Sequence, residues 1–157
     1  MRFVLAFYVS LIFISCEIVS LVPSNSDDLL SNIISYKGNK AVLLNVWALW
    51  CVPCVEEFPM IVDLDRKNHD LKVIFVSADF EEQLEEVKFF LKQNGVLSSY
   101  IKKEKDDSFI SAIHPNWTGG LPFTVVYSKK SGNIVDYWEG IMPKSRFREA
   151  INIALES

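Results

Sequence analysis

A chain of 157 residues, half of them apolar, 13% aromatic and 23% charged, can build one domain with a full core but not two of ordinary size. The high apolar and aromatic fractions exclude a disordered chain, and six glycines with six prolines exclude collagen-like and low-complexity classes. The net charge of −4 excludes a general nucleic-acid binder, because the densest charge run, Lys102 to Asp107, mixes both signs and no basic block exists to neutralise phosphates.

Residues Met1 to Ile14 carry one charge, Arg2, followed by the apolar run Phe3 to Ile14, which has the length of a signal-peptide core and is too short to span a bilayer. This reads as an export signal over residues 1–15. The run ends in Phe13-Ile14-Ser15-Cys16, which resembles the lipobox of bacterial lipoproteins, with Phe13 where that family usually has Leu. The resemblance implies cleavage before Cys16 and lipid on its sulfur, hence a membrane partner for the mature chain. Two other readings compete: ordinary cleavage that discards Cys16 or leaves it a free thiol, and an uncleaved anchor from Phe3 to Val22 interrupted by Glu17. Residues 16–25 are then expected to be a short tether, and residues 26–157 the folded domain.

Ser26-Asp27-Asp28 is a helix-start signal, and Leu29, Leu30, Ile33 and Ile34 continue it as an amphipathic helix that Gly38 stops. The apolar run Ala41 to Trp47 suits a strand buried on both faces, as in a parallel or mixed sheet. Val52 to about Asn68 reads as a helix through Phe58, Ile61, Val62 and Leu64, with a kink expected at Pro59. Lys72 to Ala78 is a second buried strand, and Glu81 to Asn94 a helix whose inner face carries Leu84, Val87, Phe90 and Leu91. A short strand over Val96 to Ile101 and a short helix over Ser108 to His114 follow. Phe123 to Ser128 and Ile134 to Glu139 flank Lys129-Lys130-Ser131-Gly132 as an antiparallel hairpin, and Pro143 opens a last helix. Alternating elements closed by a hairpin give an α/β sandwich with a mixed sheet.

Cys51-Val52-Pro53-Cys54 falls between a buried strand and a helix. Cys51 then stands at a helix N-terminus, where unpaired N–H groups and the positive end of the dipole favour its thiolate, and the sulfur becomes a nucleophile at neutral pH. Cys54, about one turn on, can close a ring with it and should be shielded from solvent. Pro53 is tolerated because first-turn N–H groups have no intrahelical partner. A structural zinc site or a pair of inert thiols are the alternatives; zinc needs two more ligands, and Cys16, His69 and His114 stand in no paired spacing. Neither a metal nor an organic cofactor is called for. Both histidines read as surface or loop residues, and Asn116-Trp117-Thr118 spells a glycosylation sequon without meaning in a bacterial cell.

The stretch Asn45 to Pro59, with Trp50-Cys51-Val52-Pro53-Cys54 at its centre, resembles the active-site segment of thioredoxin-fold thiol–disulfide oxidoreductases, in particular the exported TlpA/ResA-like branch. Gly120-Leu121-Pro122-Phe123-Thr124 resembles that family's cis-proline loop. The similarity runs over about residues 26 to 157, and the forty or so residues between the second strand and Pro122 match the branch's helix-and-strand insertion. The short lead before residue 26 leaves little room for the extra strands many of these proteins carry at the sheet edge.

The resemblance implies a thioredoxin-like α/β/α sandwich and roles for individual residues. Pro122, if cis, brings its ring against the Cys51–Cys54 sulfurs and leaves the backbone of Leu121 free to pair with an extended substrate segment; a trans turn proline is the alternative. Glu57, three residues after Cys54 on the same helix face, could exchange a proton with the Cys54 sulfur if buried, whereas Glu56 suits a solvated first-turn acid. Asn45 stands where thioredoxin has a buried acid, which makes Glu57 more important. Trp47 and Trp50 flank the site as an apolar docking surface, with plain core an equal reading for Trp47.

The function expected is that of an exported, lipid-anchored oxidoreductase in which Cys51 attacks a protein disulfide and Cys54 resolves the adduct. Its partners would be protein disulfide substrates, apocytochrome c among them, and a membrane-bound electron donor. Reduction is the favoured direction, since Val52-Pro53 offers the thiolate no extra donor or charge. The competing expectation is an envelope lipoprotein that uses the fold as a non-catalytic binding module.

Overall fold

The computed structural model describes residues 18–157, so the signal-like run and Cys16 lie outside the described residues. Six strands form one mixed sheet: β1 (Ser20–Ser24), β2 (Ala41–Trp47), β3 (Leu71–Ser77), β4 (Ser98–Lys102), β5 (Phe123–Tyr127) and β6 (Ile134–Glu139). Among the described residues five α-helices cover it: α1 (Ser26–Ile34), α2 (Val52–Lys67), α3 (Leu84–Gln93), α4 (Asp106–Ile113) and α5 (Lys144–Glu156). The strand order is β1-β4-β3-β2-β5-β6. The first four strands of that order run parallel, β5 runs against them, and β6 runs antiparallel to β5 and so returns to their direction.

The unbroken apolar sequence of β2 follows from its place in the middle of the sheet, where all seven residues are buried. Alternation then splits its side chains between two cores. Ala41, Leu43 and Trp47 join the layer of α2, α3 and α5, while Val42, Leu44 and Val46 join that of α1 and α4. The result is the α/β/α sandwich expected from the sequence, with the antiparallel hairpin at its C-terminal side.

The sheet edge differs from expectation. Ser20–Ser24, placed within the tether, forms β1 and pairs parallel with β4 from Ser20↔Ser98 to Ser24↔Lys102. The segment hides in the sequence because it is short, half polar and carries Pro23, and an edge strand tolerates both features. An uncleaved anchor reaching Val22 is thereby incompatible with the fold. Among the described residues no helix is long and apolar enough to cross a membrane.

Smaller differences lie at helix ends. Asn25 caps α1, its side chain accepting the Asp28 N–H at 2.8 Å, one residue before the expected start. The helix expected from Glu81 opens as a 3₁₀ turn, Glu81–Gln83, before α3 begins. The α4 helix starts at Asp106, two residues early, because Asp106 and Asp107 favour the first turn. Helix α2 continues through Pro59 as a single element.

Candidate active site

Strand β2 delivers the chain to the carboxyl end of the sheet, and α2 starts there. Its N-cap is Cys51, in extended conformation, and Pro53 occupies the first turn without loss of a hydrogen bond. Cys51 and Cys54 are joined in a disulfide, with the Cys54 N–H donating to Cys51 Sγ at 3.3 Å. That contact and the dipole of α2 both favour negative charge on the leading sulfur once the bond opens. Cys51 is 6% exposed and Cys54 1%, so the order of accessibility is as expected, although both sulfurs lie deep in the oxidised state.

The Leu121–Pro122 peptide bond is cis. Pro122 immediately precedes β5, whose Phe123 faces Val46 across the ladder, so the proline sits at the sheet end from which the Cys51 turn emerges. The main chain of Leu121 makes no hydrogen bond with the described residues. The loop leading to it is fixed from behind: Glu139 accepts from the Thr118 amide at 3.0 Å and the Thr118 hydroxyl at 2.7 Å, and Trp117 Nε1 donates to the Gly120 carbonyl at 2.9 Å. A side chain at Gly120 would strike Glu139, which explains the glycine there. The sequon residues thus serve the fold, Asn116 donating to the Tyr137 hydroxyl at 2.9 Å.

Glu57 is buried at 4% exposure while Glu56 is exposed, which separates the two acids as the sequence reading did. The Asn45 amide donates to Glu57 Oε1 at 3.2 Å and to Thr124 Oγ1 at 3.1 Å, Thr124 being the residue directly opposite Asn45 on β5. Oε2 makes no hydrogen bond of normal geometry with the described residues. Burial pushes the Glu57 carboxyl up to about 7, against smaller downward effects of the Asn45 amide and the Met142 backbone. A carboxyl with that property, three residues after Cys54 on α2, can take or give a proton near neutral pH.

Trp50 is 57% exposed and Val52 66%, and both present apolar surface next to the disulfide. Trp47 does not: it is fully buried, packed on Phe58 and Phe90 at ring-centre distances of 4.7 and 5.0 Å, and belongs to the core. A groove of about 340 Å³ opens beside Trp50, with Phe80, Trp117, Ile110 and Leu121 among its walls. His114 is buried rather than superficial, its ring packed at a tilt of 31° against Tyr137 with ring centres 3.8 Å apart, and burial lowers its pKa. His69 is exposed. Among the described residues no three His, Cys, Asp or Glu side chains are placed to hold a metal ion.

One site residue escaped the sequence reading. Asp79, buried at the carboxyl end of β3, accepts the Leu49 N–H at 2.9 Å through Oδ1 and the Ser77 hydroxyl at 2.8 Å through Oδ2. It therefore holds the Ala48–Trp50 turn that presents Cys51, and burial raises its pKa. An acid directly after an apolar strand, at the sheet end where α/β proteins build their sites, was the available signal. Asp79→Ala leaves a buried N–H and hydroxyl without partners and is expected to cost about 2 kcal/mol, while Asp79→Asn keeps an acceptor and costs less. Urea unfolding of the oxidised protein measures both.

A sandwich with a Cys-x-x-Cys disulfide at the start of the helix after its central strand, and a cis proline opening the antiparallel strand beside it, is a thioredoxin-type fold. Comparison with known families agrees: the chain belongs to the thioredoxin-like family, whose model matches residues 38–134. It is 27% identical over 114 residues to the thiol-disulfide oxidoreductase ResA of Bacillus subtilis, covering 73% of this chain and 61% of that protein. It is 40% identical over 57 residues to the thioredoxin-like protein YneN of the same organism, a third of each chain. The chain thus spans no more than about three-fifths of these curated relatives. Among solved structures, a thiol:disulfide interchange protein of the thioredoxin family from Chlorobium tepidum superposes with a TM-score of 0.63 at 27% identity, over 76% of this chain and 82% of that one.

Proposed function

We propose that this chain is an exported, lipid-anchored thiol–disulfide oxidoreductase that reduces protein disulfides through Cys51 and Cys54. The observation that carries the reading is the closed Cys51–Cys54 disulfide at the N-terminus of α2, its leading sulfur already accepting a backbone N–H. The names of the similar B. subtilis and C. tepidum proteins support the same chemistry.

In the reduced protein, the Cys51 thiolate attacks one sulfur of a substrate disulfide. The new S–S bond joins Cys51 to the substrate, and the other substrate sulfur leaves as a thiolate and takes a proton. Cys54, having given its proton to Glu57, then attacks Cys51 Sγ; the mixed disulfide breaks and the second substrate sulfur leaves. Two electrons pass to the substrate and the pair ends oxidised, as in the structure. Substrate main chain pairs with Leu121 beside Pro122, and its neighbouring side chains rest on Trp50 and on Pro53, which is exposed. A membrane-bound donor returns the electrons, and apocytochrome c or damaged envelope proteins are the substrates the family resemblance suggests.

The test is direct. A dithiol should open the pair, Cys51 should alkylate ahead of Cys54 near neutral pH, and the reduced protein should then reduce insulin disulfides; equilibration with glutathione gives the reduction potential, which fixes the direction. A pair that resists dithiol and a protein inert toward insulin would leave a binding module instead.

A further inference from the structure

The first described residue and one end of α3 form an apolar patch far from the disulfide. Ile18 is 83% exposed and Phe89 63%, and both line a shallow surface hollow with Lys88 and Lys92. Lys88, Phe89 and Lys92 stand three and four apart, on one helix face. Glu85 on that face is paired with Lys88 at 2.7 Å, and Lys92 has no ion pair among the described residues. Two large apolar side chains flanked by lysine stems form the pattern of a helix face that rests in a lipid interface, the stems running through the apolar layer and the amines reaching phosphates.

Chain connectivity says what covers the patch. Of residues 16–25, expected to be a free tether, Ser20–Ser24 are taken up by the sheet, and the Ser20 N–H is bound to the Leu97 carbonyl at 2.8 Å. Only Glu17 separates Cys16 from Ile18, a span of at most about 7 Å. Lipid on Cys16 would therefore bring the bilayer to the very side chains that are exposed. Strand polarity agrees: β1 begins at the amino end of the parallel strands, α3 returns to that end before β4, and the disulfide lies at the other. We propose that the Ile18–Phe89 face, with Lys88 and Lys92, is a membrane-contact surface that lies on the lipid bilayer and turns the disulfide away from it. The inference rests on the lipid-anchored reading of Cys16.

The experiment uses the full chain, expressed with its own leader and reconstituted in vesicles of phosphatidylethanolamine and phosphatidylglycerol. A nitroxide is attached at Phe89→Cys, at Lys92→Cys on the same face, and at Asp107→Cys near the other end of the strands. The oxidised Cys51–Cys54 pair does not react with the label. The ratio of collision with oxygen to collision with a water-soluble nickel complex should be about tenfold higher at 89 than at 107, with 92 between, as for side chains sunk into the headgroup boundary. Intact mass read on the same samples tests the anchor separately, as an acyl-glyceryl increment on a chain beginning at Cys16. Water-like collision at 89 on an acylated chain overturns the membrane face and leaves the anchor standing. Protection from both reagents at 89 means that protein covers the patch, residues 1–17 or a second copy, and overturns it as well. Absence of the acyl mass, with free labels, defeats both.

Discussion

Cys54→Ser should accumulate covalent adducts through Cys51, while Cys51→Ser should collect none and reduce nothing. The asymmetry comes from the first turn of α2. Cys51 is the cap residue, its sulfur accepts the Cys54 N–H, and it is the more exposed of the two residues, at 6% against 1%. Attack is therefore expected to begin at Cys51. With serine at position 54 nothing displaces the bound substrate, and the mixed disulfide persists until an external thiol breaks it. Non-reducing gels of cell extracts quenched in acid show the adducts, and sequencing their partners names substrate or donor. Adducts on Cys51→Ser instead would reverse the assignment of nucleophile, and adducts on neither would favour a binding module.

Glu57→Gln should change both stability and kinetics, in opposite directions. Burial holds the folded carboxyl at about 7 against its ordinary 4.5, so the group is protonated in both states below pH 4.5 and costs nothing there. As pH rises from 4.5 to 7 the unfolded chain ionises first and stability falls, by about 3 kcal/mol once both states are charged. Glutamine imitates the protonated acid. The oxidised variant should accordingly match wild type near pH 4 and exceed it by about 2–3 kcal/mol at pH 8, as read by urea midpoints. Its resolving step should nevertheless slow on the order of a hundredfold, the lower end of what a positioned acid or base supplies, and lose the inflection near pH 7. A rate that is unchanged across pH 6 to 9 would return Glu57 to a purely structural role.

The sequence was informative where local chemistry and tertiary demand coincide. Ala41 to Trp47 reads as a doubly buried strand because a strand flanked by helices on both faces needs apolar residues at every position. Cys51 and Cys54 read as a reactive pair because the strand before them and the helix after them are both strongly patterned. The parts that stayed hidden depend on partners distant in sequence. Ser20–Ser24 becomes a strand only because β4 offers it an edge, and nothing in Ser-Leu-Val-Pro-Ser announces that. Asp79 matters through the Leu49 N–H, thirty residues away, and Thr124 through Asn45, seventy-nine residues away. His114 looked superficial because its burial is created by Tyr137 on a later strand. Trp47, flanking the cysteines in sequence, points to the opposite purpose from Trp50 because successive strand positions and the turn beyond them face different surroundings.

The polarity of the parallel strands sets a condition on electron delivery. Seven residues of β2 span about 23 Å between the sheet end near Ile18 and the end that carries Cys51. With the amino end against the bilayer, a donor whose thiols are level with the lipid headgroups could not touch the Cys51–Cys54 pair, since exchange requires sulfur-to-sulfur contact. If the chain is anchored in that proposed orientation, a membrane donor would have to hold its own cysteines on a water-exposed domain or a long loop standing about 20 Å above the lipid, and a search for it could be narrowed to membrane proteins with that build.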